Sequence, residues 1–185
     1  MSAVGNAQII HALSRLDDDG HVIGDEWPRL AQEMVRLDLN WPAICDLARL
    51  NDPAESEVSA KVAELSTQLE AHPGVHPRLD PWDVVVGLYG RAWRMDLIDH
   101  LDAMYRMEMV RGLCYFELDA SDSAAIYLFW RAGQVTEQDD YTLPTETVDF
   151  LCREVLEAAD QLLPPGAVDY PLCQAIRKAM HANGC

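Results

Sequence analysis

Apolar residues recur three and four positions apart along most of this chain, and most of these segments open beside a proline. No other feature restricts the fold as much. A spacing of three to four matches the α-helix. Proline fits the first helical turn, where its missing N–H would have no partner anyway, and it is excluded from helix interiors and central strands. Val4, Ile9, Leu13 and Leu16 predict a first helix, which Asp17-Asp18-Asp19-Gly20 ends. Asp25 is the expected cap of a second, with Pro28 in its first turn and Leu30, Met34 and Leu37 on its apolar face. Asn40 is the expected cap of a third, in which Pro42 precedes Ile44, Leu47, Ala48 and Leu50. After Asn51-Asp52-Pro53, the residues Val58, Val62, Leu65 and Leu69 form one stripe over 54–71, and the polar reverse face makes that helix peripheral.

The segment His72-Pro73-Gly74-Val75-His76-Pro77 is the strongest break. It suggests an N-terminal subdomain 1–71 and a main helical core 79–185 joined by a linker 72–78, within a single helical domain of 185 residues. Asp80-Pro81 then opens a run from Trp82 to about Val110 that is apolar on more than one face. Such a run suits a central buried helix or two joined helices. Gly87 and Gly90 permit close helix contact, and Val84 to Val86 leave a buried strand as the alternative. Thr136 to Leu143 reads as an acidic loop. Pro144-Thr145-Glu146 starts an amphipathic helix with Val148, Leu151, Val155, Leu156 and Leu162 inward and Glu154, Glu157 and Asp160 outward, stopped by Pro164-Pro165-Gly166. A last helix from Tyr170 to about Ala182 carries Arg177, Lys178 and His181 towards the negative end of its dipole. The expected architecture is all-α: an irregular bundle of about seven to nine helices.

Within 104–133, Gly112, Tyr115, Ala124 and Leu128 fall at the spacing of small and large packing positions, so this stretch resembles one tetratricopeptide unit of about 34 residues. It departs at Arg131, where that family prefers Ala, and at Thr136, where it prefers Pro. No second unit follows at the same period, and a solenoid needs several. The resemblance therefore implies a helix pair at 104–133 packed in a tetratricopeptide-like way, with Gly112 to Leu118 as an alternative strand.

Charge narrows the partner class. Asp and Glu number 31 against 14 Lys and Arg, a net −17 spread along the whole chain. That field repels phosphate backbones and anionic membranes, and it attracts basic protein surfaces. The five cysteines are widely spaced and form no CxxC pair, as expected of free thiols in a reducing compartment. Residues 1–14 lack the basic start and long apolar run of a secretory leader, and Ala124 to Trp130 is too short to span a bilayer. A cytoplasmic location is expected.

No stretch carries a specific catalytic signature. Arg15 to Glu26 has the length of a calcium loop, with Asp17, Asp19, Gly20 and Glu26 at suitable positions, but Arg15 puts a cation where the first carboxylate ligand belongs. Asp96 and His100 lie four apart on a helix beside Asp99 and Asp102, yet the chain contains no Glu-x-x-His, the motif of bundle di-metal sites. His72 and His76 are too few to hold a structural zinc ion. Nucleophile elbows and phosphate-binding glycine loops are missing from the sequence. No metal or cofactor is expected. The first functional reading is a non-enzymatic binder of a basic protein, of the immunity, inhibitor or nucleic-acid-mimic type. Its expected contact residues are Asp17, Asp18, Asp19, Asp25, Glu26, Glu137, Asp139 and Asp140. A second reading is an enzyme or small-molecule binder with a helix-lined pocket around Arg91, Arg94, Asp96, His100 and Tyr105. A third is an oligomerising subunit.

Overall fold

The computed structural model describes residues 3–16, 22–75, 78–113, 124–139 and 143–182. Regular structure among them is entirely helical: α1 (Ala3–Leu16), α2 (Trp27–Arg36), α3 (Pro42–Leu47), α4 (Glu55–Glu70), α5 (Pro81–Arg94), α6 (His100–Leu113), α7 (Ala125–Asp139), α8 (Thr145–Asp160) and α9 (Tyr170–Ala182), with single 3-10 turns at Gly24–Glu26 and Pro73–Val75. The chain divides into two compact units, Met1–Pro81 with Pro165–Gly184, and Trp82–Pro164.

Prolines start helices as their chemistry requires. Pro28 and Pro42 occupy the first turns of α2 and α3, and Pro81 is the first residue of α5. The expected caps fall elsewhere. Asp25 lies inside the 3-10 turn that leads into α2, not in the extended conformation a cap needs. The cap position of α3 is Trp41, not Asn40, because the residue before a proline is pushed into extended backbone (φ −66°, ψ 143°).

In the first unit α1 packs on α4 and on the 73–75 turn, α3 bridges α2 and α4, and α9 packs on α2. Ile9, Ile10, Leu13, Trp27, Leu30, Met34, Ile44, Leu47 and Leu65 fill its core. The Trp41 ring meets His72 edge-on, 6.4 Å between centroids. The buried Asn6 side chain accepts a hydrogen bond from Val168 N–H at 2.9 Å, holding Val168 in a left-handed conformation (φ 56°). Beside it, a Cβ placed on Gly5 would lie 2.7 Å from the Ala167 Cβ. These two residues seat α1 on the 167–168 turn.

In the second unit the run from Trp82 to Val110 is two helices, and Val84 to Val86 are helical. Met95 to Asp99 separates them. Asp96 takes the left-handed conformation (φ 56°), and Leu97 N–H reaches back to Ala92 O at 2.9 Å, the bond pattern that closes a helix C-terminus. Asp38 ends α2 in the same way, with Leu39 N–H on Met34 O. Asp99 then caps α6 by accepting from Asp102 N–H. From α5, Asp83 accepts the N–H of Ala125 at 2.8 Å and so satisfies the start of α7 through a tertiary contact. α6, α7 and α8 pack on one another, and the Trp82 ring meets Phe129 edge-on at 6.5 Å. The expected loop from Thr136 begins later, because α7 continues to Asp139. Buried Thr136 explains the extension: its hydroxyl donates to the Glu108 carboxylate and lies 3.0 Å from Gly133 O, which ties the last turn to α6. Leu128 is buried as the tetratricopeptide-like pairing expects, but Ala124 is exposed in the turn before α7, and 114–123 lies outside the described residues.

Candidate functional site

The residues expected to line a helical pocket part company. Arg91 and Arg94 stand three apart on the last turn of α5 and reach the same carboxylate, that of Asp160, the final residue of α8. Arg91 Nε donates to Oδ1, and Arg94 Nη1 donates to Oδ2 at 2.6 Å. Asp160 is 5% exposed, which corrects the expectation that it faces solvent. An acid off the apolar stripe reads as outward in a linear sequence. Here a neighbouring helix brings two guanidiniums to it, so the ion can be desolvated and still paired. The pairing also offsets the unfavourable placement of a carboxylate at a helix C-terminus. The two arginines differ: 11% of the Arg91 side chain is exposed, against 70% for Arg94.

Close approach of the backbones makes the cluster. A Cβ on Gly90 would lie 2.4 Å from Asp160 N and 2.6 Å from Leu156 O, distances that no side chain can occupy. Asp96 is exposed and used in the turn after α5. His100 Nε2 lies 2.9 Å from Asp149 Oδ1, joining the start of α6 to α8. Tyr105 is 41% exposed on α6. Arg91 and Arg94 are thus brought together on a structural carboxylate, and Asp96, His100 and Tyr105 have separate surroundings.

Of the expected acidic contact residues, Asp25 is exposed and Glu26 lies 3.5 Å from Arg29. Asp17, Asp18, Asp19 and Asp140, and the side chains of Glu137 and Asp139, lie outside the description. Several acids elsewhere are matched by a base three or four residues away, while the exposed Asp52, Glu55 and Glu57 form no ion pair among the described residues. Arg36 pairs with Glu33, Arg49 with Asp46, Lys61 with Glu64 at 2.7 Å, and Arg106 with Asp102 at 3.1 Å. The Glu64 hydrogen bond holds the Lys61 ammonium above its ordinary pKa of 10.5, against desolvation and with help from the charges of Glu64, Asp46 and Glu57.

Two features escape the linear pattern. The first is a cleft of about 500 Å³ where α9 lies against α2, with Leu30, Ala175 and Ala179 among its apolar lining and Arg29, Glu33 and Lys178 among its charges. Both apolar faces are visible in the sequence, but nothing in their period says that they meet. The second is the outer face of α8. Glu146, Phe150, Arg153, Glu154 and Glu157 are all exposed there, and Phe150 is 58% exposed. Among the described residues, none of those three glutamates has an ion-pair or hydrogen-bond partner for its side chain. Alternation of apolar and acidic positions at 146, 150 and 154 was the available signal.

Cys45, Cys152 and Cys173 are free thiols. Among the described residues no group of three or more His, Cys, Asp or Glu is placed to hold a metal ion, and no helix is long and apolar enough to cross a membrane. No protein-family model, curated protein or solved structure matches the chain.

Proposed function

We propose that this chain is a non-enzymatic helical binding protein that engages a basic protein surface through its own acidic one, in the manner of immunity proteins, inhibitors and nucleic-acid mimics. The net charge of −17 carries the reading. A field of that sign and size accelerates encounter with a cationic partner and turns away nucleic acid and anionic lipid. It is mounted on helices with apolar cores, so the charge belongs to a folded surface and not to a solvated tail. The rival reading of a pocket around Arg91 loses ground, because Arg91 and Arg94 direct their charge at Asp160.

The test is recovery of partners on the immobilised chain from a lysate of its own source, at low and at high salt. The expected outcome is one basic protein in stoichiometric amount at low salt and much less at high salt, since screening shortens the reach of surface charges. Recovery of nothing specific at either ionic strength, or of a partner with no basic surface, refutes the reading.

A further inference from the structure

Part of the surface charge in this protein is consumed locally. In α2, α3, α4 and α6, a base sits three or four residues from an acid and pairs with it. The outer face of α8 carries acids without such a pair, as α4 does at Glu55 and Glu57, and it differs in holding an exposed aromatic ring among them. Glu146, Phe150 and Glu154 follow one another at intervals of four, and Glu157 continues the row one turn further. At about 1.5 Å rise per residue the row from Glu146 to Glu157 is about 16 Å long. Arg153 is on this face too, and it forms no ion pair with Glu157 although the two are four apart. The inward face of the same helix is fully engaged: Val148, Cys152, Val155, Leu156 and Ala159 are buried. The outward row takes no part in that packing. It is an exposed aromatic ring beside three carboxylates that have no partner among the described residues, with the single cation of Arg153 on the same face.

We infer that this row is the docking face for a lysine- or arginine-rich amphipathic helix of a partner protein, with Phe150 as the apolar anchor and Glu146, Glu154 and Glu157 as the carboxylates that meet its cations. The assignment rests on the basic-partner reading above. Charge complementarity selects the occupant. A second copy of the chain, docked about a two-fold axis, would set the same glutamates against one another, and like charges opposed across an interface are strongly unfavourable. Nucleic acid and anionic membranes meet the same repulsion. A basic helix matches both the sign and the repeat, because its own residues at intervals of three and four present cations and an apolar side chain along one stripe. The ring supplies the desolvated contact that charge alone does not give, since buried aromatic anchors dominate interface energies and rim charges mainly steer.

The test uses the whole chain and a synthetic amphipathic helix of lysine and leucine, about 18 residues long, with affinity measured by calorimetry at low and at physiological salt. The triple variant E146Q/E154Q/E157Q is compared with D52N/E55Q/E57Q, which removes the same three charges from exposed positions elsewhere and brings the net charge to the same −14 (−17 plus 3). F150A is the third variant, and circular dichroism confirms that each remains helical. The inference expects the first triple and F150A each to weaken binding by about tenfold or more, and the control triple to weaken it no more than about twofold. Equal weakening by the two triples overturns the assignment of this face and leaves the basic-partner reading standing. Failure of the unaltered chain to bind the peptide at low salt overturns both. Self-association of the unaltered chain that F150A abolishes overturns the choice of occupant.

Discussion

Replacing Gly90 by Ala should destabilise the 82–164 unit by about 1–4 kcal/mol, and the figure follows from the contact geometry. The new Cβ would sit 2.4 Å from Asp160 N, 2.6 Å from Leu156 O and 2.9 Å from Ala159 C. A relaxed non-bonded contact is about 3.5 Å, so α5 and α8 would have to separate by about 1.1 Å. All three obstacles are backbone atoms of a helix, and none can rotate away. Forcing a methyl into a closed contact costs about 1–3 kcal/mol. A gap of that size also forfeits a quarter to a half of the dispersion wells along the seam and lengthens the Arg91–Asp160 pair, adding roughly 1–2 kcal/mol. Against this, Ala is the better helix former by about 1 kcal/mol. Gly87→Ala is the internal control. Its Cβ would meet Leu163 Cγ and Cδ2 at 2.7 and 2.8 Å and the backbone Ala159 O only at 3.3 Å, so its tightest contacts are with a side chain and the loss should be smaller than at Gly90. Urea denaturation followed by circular dichroism, with matched slopes, measures both. A Gly90→Ala protein as stable as the unaltered one, or less perturbed than Gly87→Ala, would refute the close approach of α5 and α8.

The Asp160 cluster should be strongly asymmetric. Asp160→Asn removes the carboxylate that pairs with the nearly buried Arg91 guanidinium and should cost about 3–5 kcal/mol, whereas Arg94→Ala, at a side chain 70% exposed, should cost at most about 1 kcal/mol. Equal losses in urea denaturation would show that the burial difference is wrong. Asn6→Ala orphans the Val168 N–H and should cost about 1–3 kcal/mol, with faster exchange of that amide hydrogen. Unchanged exchange would show that Asn6 does not hold the turn.

The helices were legible because proline and apolar period act locally. Pro28, Pro42 and Pro81 mark starts wherever the chain goes afterwards, and Val58, Val62, Leu65 and Leu69 mark a face whatever covers it. What failed to show was decided by neighbours. Asn40 lost the cap position to Trp41 through the constraint that Pro42 places on the residue before it. Thr136 stayed helical because Glu108, on another helix, accepts its hydroxyl proton. Asp96 was expected to line a pocket on the same helix as His100, and a left-handed turn places it between two helices. Asp160 looked like surface, and two arginines some 66 and 69 positions earlier in the chain brought it inside. Polar residues are hard to place because their position depends on a partner that is distant in sequence. An apolar residue needs only to avoid water.

The same distinction separates acids that serve the fold from acids left for a partner. Asp83 satisfies the start of α7, Asp99 caps α6, Asp38 and Asp96 turn the chain, and Asp160 locks α5 to α8. All five are aspartates, whose short side chains bond close to the backbone and tolerate left-handed geometry. Glu146, Glu154 and Glu157 are glutamates on an exposed helical face with no such task. A longer side chain keeps its charge away from its own backbone, at a height where another molecule can meet it. The total of −17 therefore overstates the acidity available for binding. The part that matters is the fraction the fold does not use, and on α8 that fraction is gathered around Phe150.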